Sequence, residues 1–121
     1  MFFSFFSQKF TKSQTGTMVV SMRIIAKRTL MDFVRRHPGA RQAVLAWCDE
    51  VAGLTWPGPR EIRERYVSAS FVGRNRVIFN LRGNAYRLVV AVAYQVGVVY
   101  VKFIGTHAEY ERIDASQVEQ E

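Results

Sequence analysis

Four residues in the C-terminal half of the chain have the chemistry to cleave a phosphodiester: Arg87, Lys102, His107 and Tyr110. Cleavage of RNA by its own 2′-hydroxyl needs a base for that hydroxyl, a cation for the phosphate charge and an acid for the departing 5′-oxygen. Because histidine exchanges protons near neutral pH, His107 can serve as acid or base. Arg87 and Lys102 can stabilise the phosphate, and Tyr110 can donate a proton or stack on a base. This set suits RNA cleavage without a metal ion.

Two questions about these residues stay open in the sequence. His107 follows Thr106 at the predicted start of the last helix, and a purely structural role in capping that helix explains it equally well. The placement of Arg87 relative to Lys102 depends on the turn before Val98. A two-residue turn puts both side chains on one face of the sheet, whereas a three-residue turn puts them on opposite faces.

Other catalytic classes lack support. The two histidines, His37 and His107, are far apart in the sequence. Cys48 is the only cysteine, which excludes an internal disulfide and a cysteine-based zinc site. The segment Arg82-Gly83-Asn84 lacks the lysine and the strand-to-helix setting of a phosphate-binding P-loop. We therefore predict neither a metal site nor a cofactor.

The charge pattern predicts a polyanionic partner. The formal net charge is +7, and residues 65–108 contain six basic residues and no Asp or Glu. A surface of one sign attracts a polyanion such as RNA. Arg76 also has a simpler explanation, as an ordinary solvated strand residue. The residues that we expect to contact RNA are Arg74, Arg76, Arg82 and Asn84.

The N-terminal half of the pattern predicts one strand and a pair of helices. Residues 23–26 form a short apolar run typical of a strand. Apolar residues then recur at helical spacing at 30, 33 and 34 and again within 40–52. His37-Pro38-Gly39 separates the two helices, because proline disfavours a helical residue before it. Residues 59–65 are compatible with a further short helix that begins at proline.

The remaining pattern predicts an antiparallel meander. Near-continuous apolar runs indicate a sheet covered on both faces, and Thr106 can cap a short helix over residues 107–113. Residues 66–73 are compatible with a strand or a loop. The fold class is therefore α+β, with an N-terminal strand and a helical hairpin packed on a mainly antiparallel sheet, and a short C-terminal helix. The predicted strands and turns are 75–80, 81–84, 85–94, 95–97 and 98–104.

One domain accounts for most of the chain. A length of 121 residues suffices for a single core, which we assign to residues 22–115. We interpret residues 1–21 as a disordered extension or a misassigned start, and residues 116–121 as a flexible tail. No run reaches the roughly 18–20 apolar residues that a membrane crossing needs, so we predict no membrane association.

Two motifs in the second half resemble the HigB family of bacterial type II toxins, within the wider RelE-like group. They are Phe-Asn-x-x-Gly-Asn-x-x-Arg-Leu at residues 79–88 and Gly-Thr-His-x-x-Tyr at residues 105–110. The likeness runs from Met22 to about Ala115. By position, it places Asn84 and Arg87 in the first motif and His107 and Tyr110 in the second.

The resemblance implies a RelE-like fold and a metal-independent mRNA endoribonuclease in the bacterial cytoplasm. Such toxins usually act on messages in the ribosomal A site, inhibit translation and are silenced by a HigA-type helix-turn-helix antitoxin. Two alternatives use the same residues: a non-catalytic RNA- or ribosome-binding module with a basic sheet face, and a protein whose basic face only holds an acidic partner. Loss of cutting with retained binding in His107→Ala separates the first function from the second. A strong salt dependence of RNA affinity argues against the third.

Overall fold

A five-stranded sheet forms the centre of the computed structural model, which describes residues 22–119. The order across the sheet is β1-β5-β4-β3-β2, in which β1 runs parallel to β5 and all other neighbours are antiparallel. The predicted extension at residues 1–21 lies outside the described residues. The strands are β1 (Arg23–Ile25), β2 (Ser70–Val72), β3 (Arg76–Leu81), β4 (Tyr86–Ala93) and β5 (Val98–Thr106).

Between residues 22 and 119, four helices accompany the sheet: α1 (Lys27–Arg36), α2 (Arg41–Ala52), α3 (Pro59–Arg65) and α4 (His107–Tyr110). The proline of the predicted break opens a single 3-10 turn, Pro38–Ala40, between α1 and α2. α4 is shorter than predicted, because the backbone beyond it closes i→i+3 hydrogen bonds typical of a tightened turn. The α+β class predicted from the sequence is confirmed.

The main core lies between the helices and one face of the sheet. Phe79 of β3 is at its centre, with the rings of Trp47, Trp56 and Tyr66 at centroid distances of 5.4, 6.1 and 5.0 Å. Leu88 and Val90 of β4 are fully buried in the same cluster, and Val92 is nearly so. Helical spacing on α1 and α2 therefore buries one stripe of each helix, as predicted.

The chain after α4 covers the opposite face. Ile78 and Val89 point away from the helices and pack with Phe103 and Ala115, together with Ile113 and Val118. Both faces are thus covered, as the continuous apolar strands predicted. Residues 116–119, which the sequence analysis assigns to a flexible tail, lie against this second face, and residues 120 and 121 lie outside the described residues.

A β-bulge decides the placement of Lys102. Val90 pairs with Val101 and Val89 pairs with Phe103, so that Lys102 is the extra residue on β5. Neither predicted turn length occurs before Val98, because Ala93 pairs with Val98 and four residues lie between them. The bulge nevertheless brings Lys102 to the second face, which also carries Arg87.

Candidate functional site

Two segments meet at one end of the second face and bring the sequence motifs together. Tyr86 pairs with Thr106 and Arg87 pairs with Gly105, while the amide of His107 donates to the carbonyl of Ala85 at 3.1 Å. The turn between β3 and β4 therefore lies beside the start of α4. We call Asn84, Arg87, His107 and Tyr110, which this pairing gathers, the turn-end cluster.

Glycine permits both segments to come this close. Gly83 has a φ of +64°, in the left-handed region that glycine adopts without steric cost. Gly105 is needed for a different reason, since a Cβ there would lie 2.6 Å from the Phe103 ring and 2.8 Å from Glu109 Oε1. A side chain at residue 105 would therefore disturb the start of α4.

Arg87 is held by backbone and aromatic contacts. Its Nη1 donates to the carbonyl of Asn84 at 3.2 Å, and its guanidinium lies 5.7 Å from the centre of the Tyr110 ring. Within residues 22–119, no carboxylate forms an ion pair with it. The charge of this half-buried guanidinium is therefore available to an external anion.

His107 is displayed by α4 and does not cap it. The cap is Thr106, whose Oγ1 accepts from the amide of Glu109 at 3.2 Å while Glu109 Oε1 accepts from the amide of Thr106 at 2.8 Å. The alternative in which His107 is the cap is therefore wrong. Its side chain is 51% exposed, with Nε2 3.4 Å from Glu111 Oε2. Glu111 was not among the predicted site residues, although its i,i+4 spacing from the histidine on a helix indicates such a contact.

Three further predicted residues form a second group with the carboxylate of Glu119. Arg76 Nη2 lies 2.6 Å from Glu119 Oε2, Lys102 Nζ lies 2.7 Å from Oε1, and Arg74 Nη2 lies 3.4 Å from Oε2. The hydrogen bond from Lys102 lowers the pKa of the Glu119 carboxyl below its ordinary value. We call Arg74, Arg76, Lys102 and Glu119 the tail cluster.

Arg76 is not the solvated strand residue of the simpler interpretation. Its side chain is only 2% exposed, because the C-terminal segment covers that side of β3. Its Nη1 donates to the carbonyls of Ala115, at 3.0 Å, and of Val118. Alternation along β3 correctly predicts that Arg76 and Val77 face opposite sides of the sheet. It does not predict the segment that buries the arginine.

The two groups lie apart along the strands. Arg76 pairs with Ala91, four residues from Arg87 on β4, which corresponds to about 13 Å at ~3.3 Å per residue. Lys102 is three residues from Gly105, the partner of Arg87, or about 10 Å. The predicted catalytic set requires Lys102 to lie beside His107, and the structure does not place it there.

Arg82 faces the connection between α1 and α2. Its Nη1 lies 2.8 Å from the position that a Cβ on Gly39 would take. Nearby, the His37 ring stacks on Phe33 with centroids 4.4 Å apart, and Tyr86 meets His37 edge-on at 6.2 Å. Arg82 and Asn84 are two of the predicted RNA contacts. Both are exposed, and they lie on either side of Gly83 in the turn at the end of the sheet.

Residues 22–119 contain no group of three or more His, Cys, Asp or Glu residues placed to hold a metal ion. None of the helices in that range is long and apolar enough to cross a membrane.

Comparison with known proteins identifies one family. The family model HigB_toxin, described as a RelE-like toxic component of a toxin-antitoxin system, matches residues 40–113. No curated protein sequence matches the chain. The matched range contains the whole turn-end cluster and ends at Ile113, before Glu119.

Proposed function

This chain belongs to the HigB family of RelE-like toxin components, and from that premise we propose that it is an endoribonuclease that cuts mRNA and inhibits translation. One observation carries the proposal: Arg87, free of any carboxylate partner within residues 22–119, shares one end of the sheet with an exposed histidine and a tyrosine. A cation, a proton carrier and an aromatic hydroxyl are the groups that cleavage by the 2′-hydroxyl requires.

In the proposed reaction the 2′-oxygen of the RNA attacks the adjacent phosphorus. His107 takes the proton from that hydroxyl, and Glu111 stabilises the imidazolium that results. Arg87 stabilises the charge on the phosphorane, and Tyr110 gives a proton to the departing 5′-oxygen. The 2′-O–P bond forms as the P–O5′ bond breaks, which leaves a 2′,3′-cyclic phosphate and a 5′-hydroxyl. No step of this scheme draws on a metal ion.

His107 and Tyr110 are suitably placed for a paired role. They are three residues apart on α4, a spacing that puts two side chains on neighbouring positions of one helix face. The capping box fixes the first turn of that helix, and the contact between the Arg87 guanidinium and the Tyr110 ring ties α4 to β4. The arginine and both proposed proton carriers are thereby held together.

As a toxin component, the chain has an antitoxin partner. We propose that this partner is a HigA-type helix-turn-helix protein, that the target is mRNA on the ribosome and that the site of action is the bacterial cytoplasm. Support comes from the basic surface, which suits both a ribosomal RNA environment and an acidic inhibitor. Co-expression of the neighbouring small helix-turn-helix protein should relieve growth arrest, and continued arrest would count against this pairing.

The test is induced expression in a bacterial host with growth recorded and mRNA 5′ ends mapped. Wild type should arrest growth and produce new 5′ ends inside codons. His107→Ala should lose both effects because general acid–base catalysis contributes about 10²–10⁴-fold. Arg87→Ala should lose them because one group that stabilises transition-state charge contributes about 10²–10³-fold. His37→Ala is the matched control, since it removes the other histidine, and it should behave as wild type.

The alternative, a non-catalytic RNA- or ribosome-binding module, gives a different pattern. Growth would then slow without new 5′ ends, and His107→Ala would change binding and growth together. Purified His107→Ala that fails to bind RNA to the same degree as it fails to cut would refute the catalytic assignment.

A further inference from the structure

The tail cluster has more positive than negative charge. Arg74, Arg76 and Lys102 come from the β2–β3 turn and from two strands, yet all three converge on the single carboxylate of Glu119, at 3.4, 2.6 and 2.7 Å. Three cations around one anion leave a surplus of two charges. The site therefore stays positive with Glu119 in place, and a positive site attracts a polyanion such as RNA.

Arg76 gives this site a fixed geometry. Its guanidinium is buried, and the carbonyls of Ala115 and Val118 accept from Nη1, so that Nη2 points at the carboxylate. Lys102 is the extra residue of the β-bulge, which sets its position on the second face. Bulges often redirect a side chain toward a functional surface. Arginine and lysine side chains both bind phosphate in proteins.

Glu119 occupies the site without being built into it. Its side chain is 48% exposed, and the hydrogen bonds and ion pairs of its carboxylate within residues 22–119 are those to the three cations. The segment before it is anchored separately, by the packing of Ala115 and Val118 on Ile78 and Val89. Rotation of the Glu119 side chain would therefore open Lys102 Nζ and Nη2 of both arginines to another anion. Nη1 of Arg74 and of Arg76 would stay bonded to the C-terminal segment.

We propose that Arg74, Arg76 and Lys102 form a binding site for a backbone phosphate of the RNA, and that the Glu119 carboxylate occupies this site and competes with the phosphate. The inference rests on the proposed function, because it takes RNA as the ligand. The site lies about 10–13 Å along the strands from Arg87, on the same face, so that one strand of RNA can reach both groups. In this proposal Lys102 binds RNA, and proton transfer and charge stabilisation belong to the turn-end cluster.

The test measures binding of a fully 2′-O-methylated single-stranded oligonucleotide, which lacks the attacking hydroxyl and stays intact. Glu119→Gln should bind it several-fold more tightly than wild type, on the order of fivefold for loss of three ion pairs to a carboxylate that is itself half-exposed. Glu64→Gln is the matched control. It removes the same charge from an exposed glutamate on α3 that pairs with Arg60, and it reports the effect of net charge alone.

Salt dependence supplies the second readout. Lys102→Met should weaken binding and reduce the slope of log affinity against log salt by about 0.7, the value for one phosphate contact on a single strand. Lys102→Arg should restore most of the slope, which distinguishes lost charge from lost fold.

The outcomes separate this inference from the proposed function. If wild type binds RNA but Glu119→Gln gains no more than Glu64→Gln, or if Lys102→Met keeps the wild-type slope, the phosphate site is wrong and the nuclease proposal stands. If neither wild type nor Glu119→Gln binds RNA at any salt concentration, both proposals fail.

Discussion

Replacement of Arg76 should destabilise the fold much more than replacement of Arg74, although both contact Glu119. Arg76 is buried and donates to the carbonyls of Ala115 and Val118. Arg74 is half-exposed, and its bonds to the Ser116 carbonyl, to Gln117 and to Glu119 are exposed and 3.2–3.4 Å long. We therefore expect Arg76 to contribute more than Arg74 to holding the C-terminal segment on the sheet.

The magnitude follows from what Arg76→Ala removes. A hydrogen bond from a charged donor to a buried carbonyl contributes about 1.5–3 kcal/mol, and the bond to the half-buried Val118 carbonyl about 1 kcal/mol. Two buried methylenes add ~0.8 kcal/mol each. Against this, Arg76 Nε is buried without a partner within residues 22–119, and its removal recovers about 1–3 kcal/mol. The expected net loss is about 3 kcal/mol, compared with about 1 kcal/mol for the exposed ion pair and hydrogen bonds of Arg74.

The assay is urea unfolding followed by far-UV circular dichroism. Arg76→Ala, Arg74→Ala and the parent all carry His107→Ala, so that the proposed toxicity does not limit expression. Equal slopes in urea would allow the three free energies of unfolding to be compared directly. A loss in Arg76→Ala within ~0.5 kcal/mol of that in Arg74→Ala would refute the reasoning, as would unchanged protease resistance of the chain beyond Ile113.

Two other predictions concern the ends of this face. The hydrogen bond from Lys102 lowers the pKa of Glu119, so the stability from their contact is complete above the ordinary glutamate pKa and is lost as pH falls through the lowered value. The free energy of unfolding in urea should therefore fall more over this pH range in the parent than in Glu119→Gln, and an equal pH dependence of the two would contradict the prediction. Thr106→Ala should cost about 1 kcal/mol by loss of the helix cap and reduce RNA cleavage by releasing His107, whereas Thr106→Ser should retain both, and equal cleavage by the two variants would contradict the positioning role.

Local rules account for most of the elements. Pro38 separates α1 from α2 through its own backbone geometry. Thr106 caps α4 through a hydrogen bond with a residue three positions away. Periodicity identified the buried stripe of α2 for the same reason, since the helix repeat is a property of the segment itself. The turn-end cluster was predictable because its two motifs flank neighbouring antiparallel strands.

The placement of Lys102 and of Arg76 could not be predicted from any local segment of the sequence. The bulge on β5 and the four-residue turn before it change the register between β4 and β5. The apolar pattern does not reveal this change, because residues on both faces of the sheet are apolar. The acid that meets Arg76 is 43 residues away. The sequence shows an acid-free span and an acidic C-terminus, but it does not show that one folds onto the other.

The two groups on the second face differ in one property that bears on their proposed roles. Arg87 has no carboxylate partner within residues 22–119, while Lys102 and the two arginines beside it share one. A charge used in the transition state contributes most when nothing must be displaced before it acts, since only interactions that strengthen in the transition state raise the rate. A charge used to hold the substrate tolerates an exchangeable partner, because displacement lowers affinity without changing the chemical step. Arg87, which has no carboxylate partner in that range, thus belongs to the group where cleavage is proposed, and the shared cations belong to the group where only binding is proposed.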